Sequence, residues 1–386
     1  MKNDKLKIAF ATGVKYKDLY FFAALHMNAL FMFDEKKERL SFLTNFKKEK
    51  RSDYLYVKSF LYKDEAWFIP YCADYIAIVN LKNLFIEYIP IISQNMCDRS
   101  SIKYVNILNF KNDFLCIIPQ EIGSMIIIDL KNKELKTYDN IVEKKETYPY
   151  HGAIYRDEII YLFPWKSKKI LITNLITDEQ FILPWENGQE AFGDVIYDKE
   201  CNQLFFAPAC NDHILIYNLQ EQFGKKIKLK DWNGRGYKTY YSTECERELF
   251  FWGHEKNIVI KINKDDYSVK IYNIFHESTG FHYTPISSSN IEALLFDSNC
   301  IIRYEKKSDK FEKKYMYTNV KDLLDEIEES NVNLSDVIQG YEGEIFKETI
   351  GNGLKKIMIC MSRDRKNELL YMINRGKRIY KYICKR

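Results

Sequence analysis

One short phrase recurs along this chain, and it constrains the fold more than any other feature. "WFIPYCADYIAIVNL" occupies 67–81, "LCIIPQEIGSMIIIDL" 115–130, "IYLFPWKSKKILITNL" 160–175 and "LFFAPACNDHILIYNL" 204–219. Each is a pair of short apolar runs around a polar turn. The last polar residue of each phrase gives a series of anchors: Asp34, Asn80, Asp129, Asn174, Asn218, Asn263 and, more weakly, Glu305. Successive differences are 46, 49, 45, 44, 45 and 42 residues. A period of this length that holds four strand-like segments is what propeller blades require. In the third unit, Tyr104–Phe110 alternates as a first strand, a, and Lys111-Asn112-Asp113 is a turn. Phe114–Pro119, Met125–Asp129 and Leu135–Tyr138 then follow as strands b, c and d. Helical periodicity is missing from 8–317.

A second register gives the same count. An aromatic residue is expected to open strand a in every unit: Phe10, Tyr56, Tyr104, Tyr150, Phe192, Tyr237 and Phe281. Seven units predict an all-β, seven-bladed propeller over 1–317, closed by packing blade seven on blade one without a swapped strand. The composition agrees, because 46% hydrophobic residues provide a core and 29 Tyr with 25 Phe suit half-buried pleated strands. The "FxP…IxIxNL" hairpin resembles the broad bacterial class of β-propellers with YVTN-type or Kelch-like repeats. That resemblance covers about 310 residues by repeat logic. It implies a shape and little chemistry, since the class includes hydrolases, lyases, lectins and scaffolds. The WD dipeptide, the Kelch Gly-Gly pair and the sialidase Asp-box do not occur.

After 317 the pattern changes. Apolar residues at 323, 324 and 327, then at 334, 337, 338 and 341, have helical spacing, with Ser335 as an expected N-cap. This predicts a small, mostly helical extension over 318–386. Leu323, Leu324, Ile327, Leu334, Val337 and Ile338 are expected to be buried, and Asp325, Glu326, Glu328 and Glu329 solvated. Residues 318–344 carry eight acidic groups and one basic, Lys321, whereas 345–386 carry twelve basic and three acidic. An anionic partner for the basic segment is one expectation; its packing against the acidic stretch is the other.

The formal charge of +4, from 58 Lys+Arg against 54 Asp+Glu, is too balanced for nucleic-acid binding by bulk charge. No stretch is apolar and long enough to span a bilayer, and "MKNDKLKIAFATG" has no signal-peptide core. Nine cysteines without a C-x-x-C pair read as reduced, mostly buried thiols of a cytoplasmic protein. No cofactor and no metal are expected, because Gly-x-Ser-x-Gly, P-loop, zincin and dinucleotide fingerprints do not occur.

The two faces of such a propeller differ. The a–b and c–d turns read as ordinary Lys, Asp, Glu and Asn hairpins. The d–a loops and b–c turns hold all six histidines, by register, and four of the five tryptophans. Candidate binding residues on this face are Arg99, Tyr150, His151, Trp165, Trp185, Asp194, Trp232, Arg235, Tyr237, Lys238, His254 and His282. Each has a structural reading beside the functional one: the strand-a aromatics recur in every blade and suit packing between blades, and a tryptophan can fill space under a long loop. Two functions stay open. One is a non-catalytic recognition module that binds a glycan or a peptide or protein partner at this face. The other is a propeller-type hydrolase or lyase, whose acid–base groups would come from Asp74, Glu121, His151, Asp194 or His282, with Tyr150 or Tyr237 as acids.

Overall fold

The computed structural model describes residues 5–49, 54–91, 104–119, 124–138, 150–165, 169–185, 190–230, 237–254, 258–274, 283–287, 291–295 and 298–337. Within them the chain forms a seven-bladed β-propeller, each blade four antiparallel strands in the order a, b, c, d. Blades five and six join into one eight-stranded sheet because strand b of blade five, Gln203–Asn211, runs long and pairs with strand a of blade six, Tyr237–Cys245.

The recurring anchor is the residue that shapes each c–d hairpin. The side-chain oxygen of Asp34 accepts the backbone N–H groups of Lys36 and Lys37. Asn80, Asp129, Asn174, Asn218 and Asn263 each do the same for the residues two and three positions on. Such a side chain mimics a backbone turn and holds the loop in register. Four residues after each anchor the backbone is left-handed: Glu38, Leu84, Lys133, Asp178, Gln222, Tyr267 and Asp309 all have φ between 49° and 61°. Glu305 is one methylene too long for this geometry and makes a single 3.4 Å contact, to the N–H of Lys307. Its weak match in sequence has that cause.

Apolar faces of neighbouring blades close on each other in seven clusters around the ring. Phe10, Tyr56, Tyr104, Tyr150 and Phe192 sit in these clusters, each at most 3% exposed. Burying side chains of this size contributes roughly 1.5–3 kcal/mol each. The expected aromatic register fails in blade six. There Thr239, not Tyr237, pairs as Phe10 does, and its hydroxyl donates to Pro208 O at 2.7 Å. The pairing with blade five pulls the start of this strand two residues earlier. In blade seven the described strand a is Tyr283–Ser287, and Phe281 lies outside the described residues.

Closure joins blade seven to blade one as expected, without a swapped strand. Glu292, fully buried, accepts from Lys15 at 2.8 Å and from the Tyr20 hydroxyl at 3.0 Å, and it also pairs with Arg303. Arg303 donates in turn to Glu35 at 2.8 Å. A short strap, Lys5–Leu6 paired with Thr318–Asn319, ties the two ends of the propeller together.

Helix α1, Val320–Glu329, starts on Asn319, whose side chain accepts the N–H of Asp322, and α2 is a single turn, Leu334–Val337. The second helix begins one residue ahead of Ser335, and Asn333 reaches Asp336 at 3.2 Å, so Ser335 is not the cap. Leu323, Ile327 and Val337 are buried against blades one and seven, whereas Leu324 is half-buried. Glu326 departs from the solvated role expected of it. It accepts the N–H of Phe42 at 2.7 Å and pairs with Arg39 at 2.9 Å, so it fastens α1 to the outer strand of blade one. Asp325, Glu328 and Glu329 are exposed. Leu334's side chain, Ile338 and the basic segment lie outside the described residues. No helix among the described residues is long and apolar enough to cross a membrane. The thiols of Cys116, Cys201, Cys245 and Cys300 are free; Cys116 and Cys300 are buried and Cys201 is exposed, so burial is not general.

Candidate binding site at the channel collar

Strand a lines the central channel, and in six blades it carries a β-bulge near its start. The pairing shifts between Phe10 and Thr12, Tyr56 and Lys58, Tyr104 and Asn106, Tyr150 and Gly152, Phe192 and Val195, and Thr239 and Tyr241. A bulge re-aims the side chain that follows it. The register therefore puts Thr12, Lys58, Asn106, Gly152, Asp194, Tyr241 and, in blade seven, Thr284 at one level, close to the d–a and b–c mouth. All but Gly152 carry a polar group. Of these side chains, only Asp194 keeps more than a small exposed fraction. We call this layer the collar.

Two contacts of the collar repeat from blade to blade. The hydroxyls of Thr12 and Ser59 meet at 2.7 Å between blades one and two. Asp194 Oδ2 accepts from Ser242 N at 3.0 Å and from Ser242 Oγ at 2.7 Å between blades five and six. In blade four the collar residue is Gly152. A Cβ there would stand 2.8 Å from Val195 Cγ1 and 3.1 Å from Val195 N, so the two inner strands can approach only with glycine. The space it leaves lets Asn106 bridge from blade three. Its Nδ2 donates to His151 O at 3.0 Å and to Asp194 Oδ1 at 3.3 Å. Val195 N completes the set on Asp194 Oδ1 at 3.0 Å.

Lys58 reaches across the channel. Its Nζ lies 3.2 Å from the centroid of the Tyr241 ring. Desolvation lowers its pKa from the ordinary lysine value to about 7, against the opposing field of Asp194. Attraction to the face of Tyr241 also favours the charged amine. Desolvation likewise raises the Asp194 carboxyl, partly offset by Ser242, by Lys58 and by the Val195 N–H. The imidazole of His151 packs tilted at 5.2 Å from Trp165 and 6.0 Å from Tyr241, so these rings form an aromatic wall continuous with the ring that the amine contacts.

The expected site residues thus divide. Asp194, His151 and Trp165 come together at the collar. Tyr150 and Trp185 pack in the core between blades: Tyr150 is 3% exposed, and Trp185 lies 5.4 Å from Phe206 and 6.0 Å from Phe163. Arg99, Glu121, Trp232, Arg235 and His282 lie outside the described residues, as do the side chains of Tyr237, Lys238 and His254. Asp74 does not reach the collar in any described contact; its N–H donates to Glu49 at 3.1 Å in a turn. His213, on the same face, sits between Asp212 at 3.0 Å and Glu190 at 3.2 Å, away from the collar. Sequence reasoning missed Lys58, Asn106, Tyr241, Ser242 and Thr284. The available signal was a polar residue two places after the opening aromatic, as in Phe10-x-Thr12, Tyr56-x-Lys58, Tyr104-x-Asn106 and Phe192-x-Asp194.

No family model matches the chain, and no curated protein sequence matches it either. Solved structures do. Virginiamycin B lyase from Staphylococcus aureus, in a catalytically inactive form with quinupristin, is 13% identical with a TM-score of 0.54, over 81% of this chain and 96% of that one. PorZ, a surface component of the type-IX secretion system of Porphyromonas gingivalis, is 11% identical with a TM-score of 0.54, over 81% of this chain and 39% of that one. At these identities the likeness concerns architecture alone, and that architecture is the β-propeller.

Proposed function

We propose that this protein is a recognition module whose ligand, a glycan or a peptide or protein segment, enters the d–a and b–c mouth and contacts the collar. The observation that carries the reading is the convergence of Lys58, Asn106, Asp194 and Tyr241, from four blades, on one level beside the His151–Trp165 wall. Aromatic faces suit stacking on a sugar or on an apolar side chain, and a few fixed polar groups set its orientation. We keep the resemblance to YVTN-type or Kelch-like repeats, and a cytoplasmic location consistent with the free thiols, as parts of the same proposal. Screening the protein on glycan and peptide arrays, followed by calorimetry, tests it. Lys58→Met and Asp194→Asn should each weaken the ligand found at least tenfold, and Lys58→Met should do so without lowering thermal stability. Full affinity in both variants would rule out the collar as the site.

A second reading rests on a specific observation, the Lys58 amine held over the Tyr241 ring and brought near neutrality by burial, within the field of a carboxyl with a raised pKa. Such an amine can take up or release a proton at neutral pH, as a lyase or hydrolase needs. Turnover of a ligand found on the arrays, lost in Lys58→Met, would select this reading.

A further inference from the structure

We propose that the collar recognises a carboxylate on its ligand, with Lys58 Nζ as the charged donor. The inference rests on the recognition reading and names the chemistry of its ligand. It comes from an inventory of donors and acceptors at one level of the channel. Both oxygens of Asp194 are already engaged by Ser242 N, Ser242 Oγ, Val195 N and Asn106 Nδ2. Asn106 Oδ1 accepts from Ile107 N at 3.0 Å. Thr12 and Ser59 hydrogen-bond each other, and Ser59 also donates to Gly13 O at 2.8 Å. The side-chain oxygens of Asp194 and Asn106 are therefore occupied, while the Lys58 amine has no acceptor among the described residues. Lys58 Nζ contacts the face of Tyr241 and has no hydrogen-bond acceptor among the described residues. Thr284, 1% exposed at the same level, has a buried hydroxyl that is likewise without a described partner. A buried ammonium without an acceptor is costly, and an anionic oxygen offsets that cost best. A doubly charged phosphate would meet stronger repulsion from Asp194 than a singly charged carboxylate would. The four hydrogen bonds on Asp194 disperse its charge.

The titratable groups facing Lys58 are Asp194 from blade five and Tyr241 from blade six, and His151 from blade four lies against the Tyr241 ring. Blades one, three and seven present the neutral Thr12, Asn106 and Thr284. Because burial holds the amine near pH 7, its positive charge disappears as pH rises through neutrality. Carboxylate binding should fall over that range, in which an ordinary lysine stays charged until about pH 10.

A carboxylate can come from a uronic acid or from a peptide C-terminus, and two probe pairs separate them. Trigalacturonate is compared with its methyl ester, and an N-acetylated tripeptide acid with its amide, by calorimetry at pH 6, 7 and 8.5. One pair should show at least a tenfold preference for the acid at pH 6, lost by pH 8.5. Lys58→Met should abolish the preference. Lys58→Arg should keep it and remove the pH dependence, while His151→Gln should weaken binding but leave the pH midpoint in place. A ligand-free readout uses acetate, which should raise the melting temperature of the wild type at pH 6 and not at pH 8.5, relative to chloride of equal ionic strength. Lys58→Met should show no acetate effect at either pH. Equal binding of acid and neutral partner, or a preference that survives Lys58→Met, overturns the carboxylate assignment and leaves the recognition reading standing. A glycan or peptide array without hits, together with no acetate effect, overturns both.

Discussion

At the scale of single residues, the collar trades stability for a site. Lys58 is buried without an acceptor among the described residues, so replacing it with methionine should stabilise the fold by about 1–3 kcal/mol, read as a higher urea midpoint. The pH dependence gives an independent check. The lowered pKa means that, between about pH 7 and pH 10, the unfolded chain binds more protons at this residue than the folded one does. Lys58 therefore adds stability as pH rises through that window, and Lys58→Met should flatten the rise. Gly152 is the counterpart, set by shape. Gly152→Ala would press a methyl group on Val195 and push blade four from blade five, at a cost of about 1–3 kcal/mol. A wild-type melting temperature in Gly152→Ala would show that these strands are not tightly apposed.

At the scale of elements, each hairpin is specified by its own turn and each blade by its neighbours. Asn218 organises the c–d turn of blade five through the N–H groups of Gln220 and Glu221. Asn218→Ala should cost about 0.5–1.5 kcal/mol, whereas Asn218→Asp should be nearly neutral, as Asp34 and Asp129 already do this work. The closure between blades seven and one depends on a fully buried carboxylate. Glu292→Ala leaves Lys15 and Arg303 without their shared partner and should cost about 3–5 kcal/mol in chemical unfolding. The outer strand of blade four, Gln180–Pro184, differs from the other outer strands in carrying no charge, and Phe181, Ile182 and Leu183 are 45–50% exposed. Sheet edges usually carry charges that prevent pairing with another chain. Ile182→Lys should therefore lower self-association in light scattering, with stability changed by less than about 0.5 kcal/mol.

At the scale of the whole molecule, the acid response reflects carboxylates that hold the blades to one another. Asp309 accepts from Lys261, Lys270, Tyr272 and Tyr304; although desolvation opposes it, these donors hold its carboxyl well below the usual range. Glu35 is lowered too, by Arg303 against its own desolvation. A lowered carboxyl pKa contributes stability that is present above the unfolded value of about 4 and is lost as pH falls below it. Glu49 and Asp194, raised by burial, run the other way and soften the loss. The urea midpoint should be nearly flat from pH 7 to pH 5 and drop steeply below about pH 4. Asp309→Asn should lower it at pH 7 and make the drop shallower.

The blades were legible in sequence because what makes them is local. A c–d hairpin needs an Asn or Asp at its anchor, a polar turn and alternating apolar strands within about fifteen residues, and the chain repeats that pattern six times, with Glu305 as a weaker seventh. Asp194, His151 and Trp165 were also legible as candidates, from their place near the start of strand a or just after strand b. The collar itself was not. Lys58, Asn106, Asp194 and Tyr241 are 47 to 183 residues apart and meet only because the sheets close into a ring. A bulge in strand a reverses which side chain faces the channel, and no residue type announces a bulge. Tyr150 and Trp185 show the converse, since an aromatic near a loop looks the same in sequence whether it faces a ligand or a neighbouring blade. By itself the sequence determined the strands, their turns and their number. The tertiary structure decided which polar side chains share the channel and which of their hydrogen bonds are already made, because both depend on contacts between blades that the local pattern does not encode.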